Sequence, residues 1–451
     1  VTTSRWFATK GVWTVNGWME SALIETDEDG TILQITLPKN RENDTKKITN
    51  LNGWVVPGFI NAHSHAFQYE MAGQAESKSP ERPSDDFWSW RSAMYSLALR
   101  LNPDEFEQIT AKAYTQMVER GITSVVEFHY LHHDPAGKPY SNRAEMCERL
   151  VAAALSAGLR ITIVPILYEQ STFTQPPLPE QRRFIHERFD DYLSLIEQVN
   201  KLSGRYRHVT SGIGAHSLRG TKPENIRQLY AMAGPGRPFH MHVAEQPAEV
   251  EACKTHLGMR PVEWVLHNLA PDSRCNLVHA THMTPAEINA LGKSDATVVI
   301  CPSTEANLGD GIFPLIDYMR AGGRFAVGTD SQICLDPRED LRWLEYSSRL
   351  ISGKRNPLLG LSDHFKTRES GDLLLRETWT RGARARGDHT HSPGGLAPGQ
   401  TFDAVVIDGD HPLLANVPAE KRLSTFVFAM DVTAVAATVI GGKIHSGVRK
   451  S

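Results

Sequence analysis

From about residue 55 to residue 331, short apolar runs alternate with longer segments in which apolar residues recur every three or four positions. That alternation of periods is the signature of parallel βα units. Eight runs read as strands: VVPGFINAH (55–63), TSVVEFHY (123–130), RITIVPILY (160–168), TSGIGAHSL (210–218), FHMHVAE (239–245), RCNLVHATH (274–282), ATVVICPSTE (296–305) and RFAVGTDS (324–331). Eight is the number that closes a barrel. Segments such as PDEFEQITAKAYTQMVERG (103–121) and RRFIHERFDDYLSLIEQVN (182–200) carry the three- and four-residue spacing of outer helices.

The two ends of the chain have a different texture. Residues 1–55 read as short strands with turn signals at DEDG (27–30) and LNGW (51–54), and GGLAPGQTFDAVVIDGDHP, STFVFAM and TAVAATVIGGKIHSG alternate apolar and polar residues between glycine-rich turns near the other end. The predicted fold is therefore α/β: a (β/α)8 barrel over 56–394, with a small β-sandwich domain built jointly from 1–55 and 395–451.

Charge narrows the class. The 451 residues carry 48 Lys+Arg against 52 Asp+Glu, which offers no basic field for nucleic acid or an anionic membrane. No run of about 18 apolar residues appears, and the first residues lack a signal-peptide layout, so a soluble protein is expected. Five scattered cysteines with no CxxC fit reduced thiols in a cytoplasmic protein. Cys301, in an apolar run, reads as a small core residue.

Candidate chemistry gathers where the apolar runs end. In such barrels the reactive groups sit at the C-terminal ends of the strands, and here those ends read HSHAFQ, EFHY, AHSLR, HVAE, VHATH, STEAN and GTDS. His63 and His65 are two apart on a strand, so both face one side about 6 to 7 Å from each other. His242, His279 and Asp330 join them on the predicted rim, and a set of imidazoles plus one carboxylate suits Zn2+, with Fe2+, Mn2+ or Co2+ as substitutes. His240 shares a face with His242 but lies one layer deeper, where packing is expected. His132 and His133 in HYLHHD, and His389 and His391 in GDHTH, read as solvated loop residues, and His282 is left unassigned.

The stretches PGFINAHSH, HVAE (242–245), VHATH (278–282) and GTDS (328–331), with the closing VIGGKIHSG, resemble the amidohydrolase superfamily across essentially the whole chain. The pair His242 and Glu245 is similar to its deaminase branch, in which one metal is held. Dinuclear members carry a lysine at the end of strand four, and here that end reads GAHSLRG. DDFWSWRSAMY (85–95), VVEFHYLHHD (125–134), AHSLRG (215–220), HVAEQPAEVEAC (242–253) and CPSTEANLGDGIFP (301–314) further resemble a family of deiminases acting on a formimino group carried by L-glutamate, in histidine degradation.

That resemblance implies a set of roles. His63, His65, His242 and Asp330 would hold one divalent ion, most simply Zn2+. Glu245 would shuttle protons, with His279 and Asp330 completing the catalytic group. Gln68, Arg91, Tyr130, His216 and Arg219 would bind the small dicarboxylate substrate, since arginine meets a carboxylate with two parallel hydrogen bonds. Trp88 and Trp90 would anchor the loop that carries Arg91. A homodimer is expected. Gln332 stands where the family leads one to expect histidine, which puts the hydrogen bonding around Asp330 in question. Two alternatives are a guanine, cytosine or triazine type deaminase, which would need ring stacking, and a catalytically silent scaffold, which would have lost metal ligands.

Overall fold

A computed structural model describes residues 4–38, 47–77, 86–388 and 394–448; the expectation for His389 and His391 lies outside them. Eight parallel strands form the barrel, here numbered β1 Phe59–Ser64, β2 Ile122–His129, β3 Arg160–Leu167, β4 Val209–Ser211 continued as Ile213–Ala215, β5 Phe239–Val243, β6 Cys275–His279, β7 Thr297–Ile300 and β8 Phe325–Val327. Neighbours in sequence pair in order from β1 to β8. β1 meets β8 through a bridge between Ser64 and Asp330, where His65 N donates to Asp330 O (3.1 Å) and Asp330 N donates to His63 O (3.0 Å). The seam of the barrel is thus made by the residues at its chemical rim.

Local chemistry explains the outer helices. Helix Pro103–Glu119 starts at Asn102, whose side chain accepts from Glu105 N while Glu105 reaches back, and its apolar stripe of Phe106, Ile109, Ala113, Tyr114 and Met117 is buried. Helix Pro337–Ser352 is capped by Asp336 and stops at Gly353 in the left-handed region. The expected helix over 182–200 begins only at Phe189 and runs to Ser203. The preceding RRFIHER is instead irregular, because Arg183 is wholly buried and donates to three carbonyls, of Ala98, Leu101 and His133.

Two sheets pack face to face, one from the N-terminal segment alone and one from both chain ends. One is four-stranded; the other is six-stranded and joins Gly53–Pro57, Gly11–Thr14 and Gly17–Glu20 to Ala404–Asp408, Val435–Ile440 and Lys443–Ser446. Phe7, Ile24, Val55, Phe402, Val406 and Val439 form their shared core. The apolar run VVPGFINAH divides at Gly58: Gly53–Pro57 belongs to the small sheet and Phe59–Ser64 to the barrel. A Cβ at Gly58 would meet Thr123 at 2.2 Å, so only glycine lets the chain pass between the two layers. STFVFAM does not form a strand. It lies in helix Arg422–Phe428, whose Leu423, Phe426 and Val427 bury one face, with Ser424 set against Gly371 of helix Ser370–Ala385. Among the described residues no helix is long and apolar enough to cross a membrane.

Candidate active site

The end of β1 carries three inward positions in succession. Asn61 receives Thr329 N (3.0 Å) and donates to Thr329 Oγ1 (2.7 Å), which locks β1 to the end of β8. His63 and His65 follow on the same face. His63 Nε2 lies 3.2 Å from His65 Nε2 and 3.2 Å from His242 Nε2, and Asp330 Oδ1 lies 3.5 and 3.4 Å from the Nε2 atoms of His63 and His65. Burial holds His63 down to about 3 and lowers His65 and His242 as well, so all three rings are neutral. His65 Nδ1 donates to Phe128 O (2.8 Å), which turns its Nε2 inward. Nitrogens about 2.0 to 2.1 Å from a tetrahedral cation stand roughly 3.3 Å apart. The converging neutral nitrogens and the adjacent carboxylate therefore fit a divalent metal.

Beside that cluster lies an imidazole ringed by carboxyl groups. His279 Nε2 is 3.6 Å from Glu245 Oε1 and 3.8 Å from Asp330 Oδ2, and its Nδ1 meets Glu305 Oε1 at 3.2 Å. Burial works against a charged ring, but Glu245, Glu305 and Asp330 together raise His279 to about 10. Burial pushes Glu245 up to about 6, with His279 and Arg219 pulling the other way. A carboxyl poised there exchanges protons near neutrality. Ala244, His279, Ala280, Asp330 and Gln332 all have positive φ. Backbone of that kind at strand ends is costly and turns side chains onto the rim.

The same cavity is lined on its far side by Gln68, Arg91, Tyr130, His216 and Arg219. Gln68 Nε2 donates to Tyr130 OH (2.8 Å), while Gln68 Oε1 is buried with no donor. His216 stacks on Tyr168 with ring centres 4.0 Å apart. Arg91 does not lie in a loop: it is buried on helix Phe87–Arg100 and donates to Tyr95 OH and to Tyr168 OH (3.3 Å). Trp88 and Trp90 are on that helix too, and Trp88 is half in solvent with the Arg91 and Arg219 guanidinium groups over its ring at 5.3 and 5.4 Å. Arg219 is 5% exposed, yet its Nε and Nη1 are buried without an acceptor.

An amidohydrolase family model matches residues 54–445. The chain belongs to the amidohydrolase family. It is 39% identical to the formimidoylglutamate deiminase of Pseudomonas aeruginosa over 442 residues, 96% of this chain and 94% of that protein. A 5-methylthioadenosine/S-adenosylhomocysteine deaminase of Natronomonas pharaonis is 24% identical over 396 residues, 86% of this chain and 80% of that one. The crystal structure of an amidohydrolase from Brucella melitensis superposes with a TM-score of 0.88 at 35% identity, covering 98% of this chain and 95% of that one.

In this amidohydrolase several working residues carry no signal in the sequence. Glu127 of β2 is fully buried; it accepts from Ser64 Oγ (2.7 Å), Ala66 N (2.7 Å) and Tyr114 OH (3.0 Å), and so holds the residues on both sides of His65. Burial pushes it up to about 7 against those three donors. Glu305 holds the back of His279, and only its place in STEAN at a strand end hinted at that. Gln332 settles the question it raised: Nε2 donates to Asp330 O (2.7 Å) and Ser64 Oγ (3.0 Å), and Oε1 accepts from Thr329 Oγ1 (2.8 Å). His132 and His133 are a correction, because both are buried rather than solvated. Their Nε2 atoms meet Ile166 O (3.0 Å) and Ile185 O (2.8 Å), and both backbone amides donate to Arg183 O. His240 is packed as expected, with Nε2 on Ala385 O (2.8 Å). Cys301 is buried in the core.

Proposed function

We propose that this protein is a formimidoylglutamate deiminase, hydrolysing N-formimino-L-glutamate to N-formyl-L-glutamate and ammonia in histidine degradation. The observation that carries the reading is Arg219: a guanidinium with two buried donors and no acceptor, facing the cavity that also holds Glu245. Buried donors are almost always satisfied, so the missing partner is an anion. Arg91 supplies a second cation for a second carboxylate. A planar base would leave Arg219 unpaired, which counts against the nucleobase reading.

A divalent ion, most simply Zn2+, would be held by His63, His65, His242 and Asp330 and would make water a competent nucleophile at neutral pH. Glu245 takes a proton from the attacking water as its oxygen bonds to the formimino carbon. It gives that proton to the terminal nitrogen, then takes the remaining hydroxyl proton and passes it to the same nitrogen as the C=O bond forms, the C–N bond breaks and ammonia leaves. His279, set between Glu245 and Asp330, donates from Nε2 to the oxygen at the attacked centre and stabilises negative charge developing there. Gln68 Oε1 accepts from a formimino N–H, while Tyr130 OH holds the Gln68 amide in place and His216 closes the wall beside Tyr168.

The reading includes a cytoplasmic homodimer. Ile312, Trp343, Tyr346 and Leu350 line one groove along helix Pro337–Ser352, and Leu350 is 81% exposed, an apolar face suited to a second copy. Ammonia release from N-formimino-L-glutamate, guanine and cytosine tests the assignment. Turnover confined to the first is expected, and preference for either base overturns it.

A further inference from the structure

Four carboxyl groups surround the single imidazole of His279. Glu305 lies at 3.2 Å, Glu245 at 3.6 Å and Asp330 at 3.8 Å, and a carboxylate oxygen of Asp310 sits within 4.8 Å of both His279 and Glu245. Three of the four have charged or several donors. Asp330 faces His63 and His65; Glu305 receives Cys301 N (3.0 Å) as well as His279; Glu245 shares His279 and has Arg219 nearby. Asp310 has neither. It is 1% exposed, its Oδ1 accepts from the neutral amide of Gln246, and its Oδ2 is buried with no partner.

The loop places it there on purpose of geometry. Gly309 and Gly311, with φ of 70° and 117°, flank Asp310, and Asp310 N donates to Glu305 O (2.9 Å), so the chain turns back over the rim as helix Pro302–Leu308 ends. Gln246 follows Glu245 directly in sequence, and its bond orients the Asp310 carboxyl beside that residue. An ionised carboxylate with one bare buried oxygen, set against other carboxylates, is the least favourable arrangement available.

We propose that Asp310 carries a proton at the working pH and donates it as a hydrogen bond to the Glu245 carboxylate, making Asp310 a positioning residue for the proton shuttle. This rests on the reading of Glu245 given above. With His279 on one side and Asp310 on the other, Glu245 is held in one rotamer and its ionised form is stabilised by two donors. Burial, then the charge of Glu245, pushes Asp310 up to about 9, in keeping with a carboxyl that stays protonated while Glu245 exchanges. The charged groups facing the pair are His279 from β6, Glu305 from the helix after β7, Asp330 past β8, Arg219 past β4 and Glu249, which accepts from Ala244 N and Glu245 N. The His282 ring lies against Gly311.

The experiment compares Asp310→Asn with Asp310→Ala in the metal-loaded enzyme, reading kcat, KM and the acid limb of kcat/KM against pH. An asparagine amide donates to Glu245 as the protonated acid does. Asp310→Asn should therefore keep kcat within about threefold, with the acid limb in place. Asp310→Ala should lose about tenfold or more in kcat, with KM nearly unchanged and the limb moved up by about one pH unit, since a neutral-form hydrogen-bond donor to the base is gone. Equal damage from both variants, or a limb that moves down in Asp310→Asn, means that Asp310 works as a carboxylate and overturns the proposal; two wild-type profiles overturn it as well. Metal content and Tm report misfolding of the alanine variant, and Asp310→Leu, close in shape and without a donor, takes its place with the same expected loss if that occurs. Glu245→Gln is the control: turnover surviving there sinks the reading of Glu245, whatever Asp310 does.

Discussion

Arg219 offers the sharpest test of what the cavity binds. Nε and Nη1 are both buried and free of any acceptor, while Phe87 and Trp88 lie against the guanidinium at 5.8 and 5.4 Å and keep it from swinging to water. A substrate carboxylate taken by these two donors forms a two-pronged charged pair, each bond contributing about 1.5 kcal/mol or more. Arg219→Met keeps the length and apolar stem but removes both bonds, so about 3 kcal/mol of transition-state binding is lost, roughly 150-fold in kcat/KM. Most of it should fall on KM, because the carboxylate is remote from the reacting carbon. No protein acceptor is stranded by the change, so Tm should move by no more than about 2 °C. The assay is steady-state ammonia release from N-formimino-L-glutamate and from an analogue lacking each carboxylate in turn; one of these should be indifferent to the substitution. A kcat/KM within about threefold of wild type, or an equal loss on every analogue, would remove Arg219 from carboxylate recognition.

Glu245→Gln should keep stoichiometric metal yet lose at least about 1000-fold in kcat; metal loss by mass spectrometry would mean that the ligand set is misassigned. Chelation should abolish turnover and lower Tm, because a cation at about 1000 times its Kd contributes roughly 4 kcal/mol to folding; an unchanged melting curve would deny the site a structural cation. Acid should unfold the protein through its buried imidazoles. Burial lowers His129 and His186 to about 3, His240 to about 4, and His132 and His133 as well, so below about pH 6.5 the unfolded chain binds the extra protons. Stability is complete above that pH and falls as pH drops toward 4, by up to about 1.4 kcal/mol per pH unit for each ring; flat denaturant midpoints from pH 7 to 5 would contradict this. Leu350→Glu should convert a dimer to the 50.2 kDa monomer in light scattering with kcat retained, and a monomeric wild type would refute the dimer.

Much of this arrangement is legible in the sequence because strand periodicity fixes which side chains share a face. His63 with His65, and His240 beneath His242, follow from a two-residue repeat alone. What escapes is whatever depends on partners distant in sequence. Glu127, Glu305 and Asp310 are single carboxyls with no local pattern, and each acquires meaning only from the barrel that brings it to Ser64, His279 or Glu245. The errors have the same origin. HYLHHD looks solvated because it is polar, yet Arg183, some 50 residues on, supplies a carbonyl to both histidine amides and buries the segment. In STFVFAM, alternation and helical spacing coincide over a short run, and packing of Leu423, Phe426 and Val427 selects the helix.

The closure of the barrel and the cation site are one structure, which bears on how the protein balances stability against chemistry. At an ordinary seam, ladder hydrogen bonds would finish the pairing with backbone in the extended region. Here the closing bonds run through His63, His65 and Asp330, and Asp330 and Gln332 take positive φ to make them. His63 Nε2 stands 3.2 Å from the Nε2 atoms of both His65 and His242 beside a buried carboxylate, a crowding of nitrogens that a cation between them would relieve. Asn61 and Gln332, hydrogen-bonded across the seam, and Glu127, which grips the end of β1 from β2, hold that arrangement together from behind. The strain is therefore local and supported on the inner side, while its release is directed toward the cavity. A cation bound there would relieve repulsion in the ligand set at the point where β1 meets β8, so its removal should loosen β1 and β8 before any other pair, read as hydrogen exchange of the His65 and Asp330 amides with and without chelator.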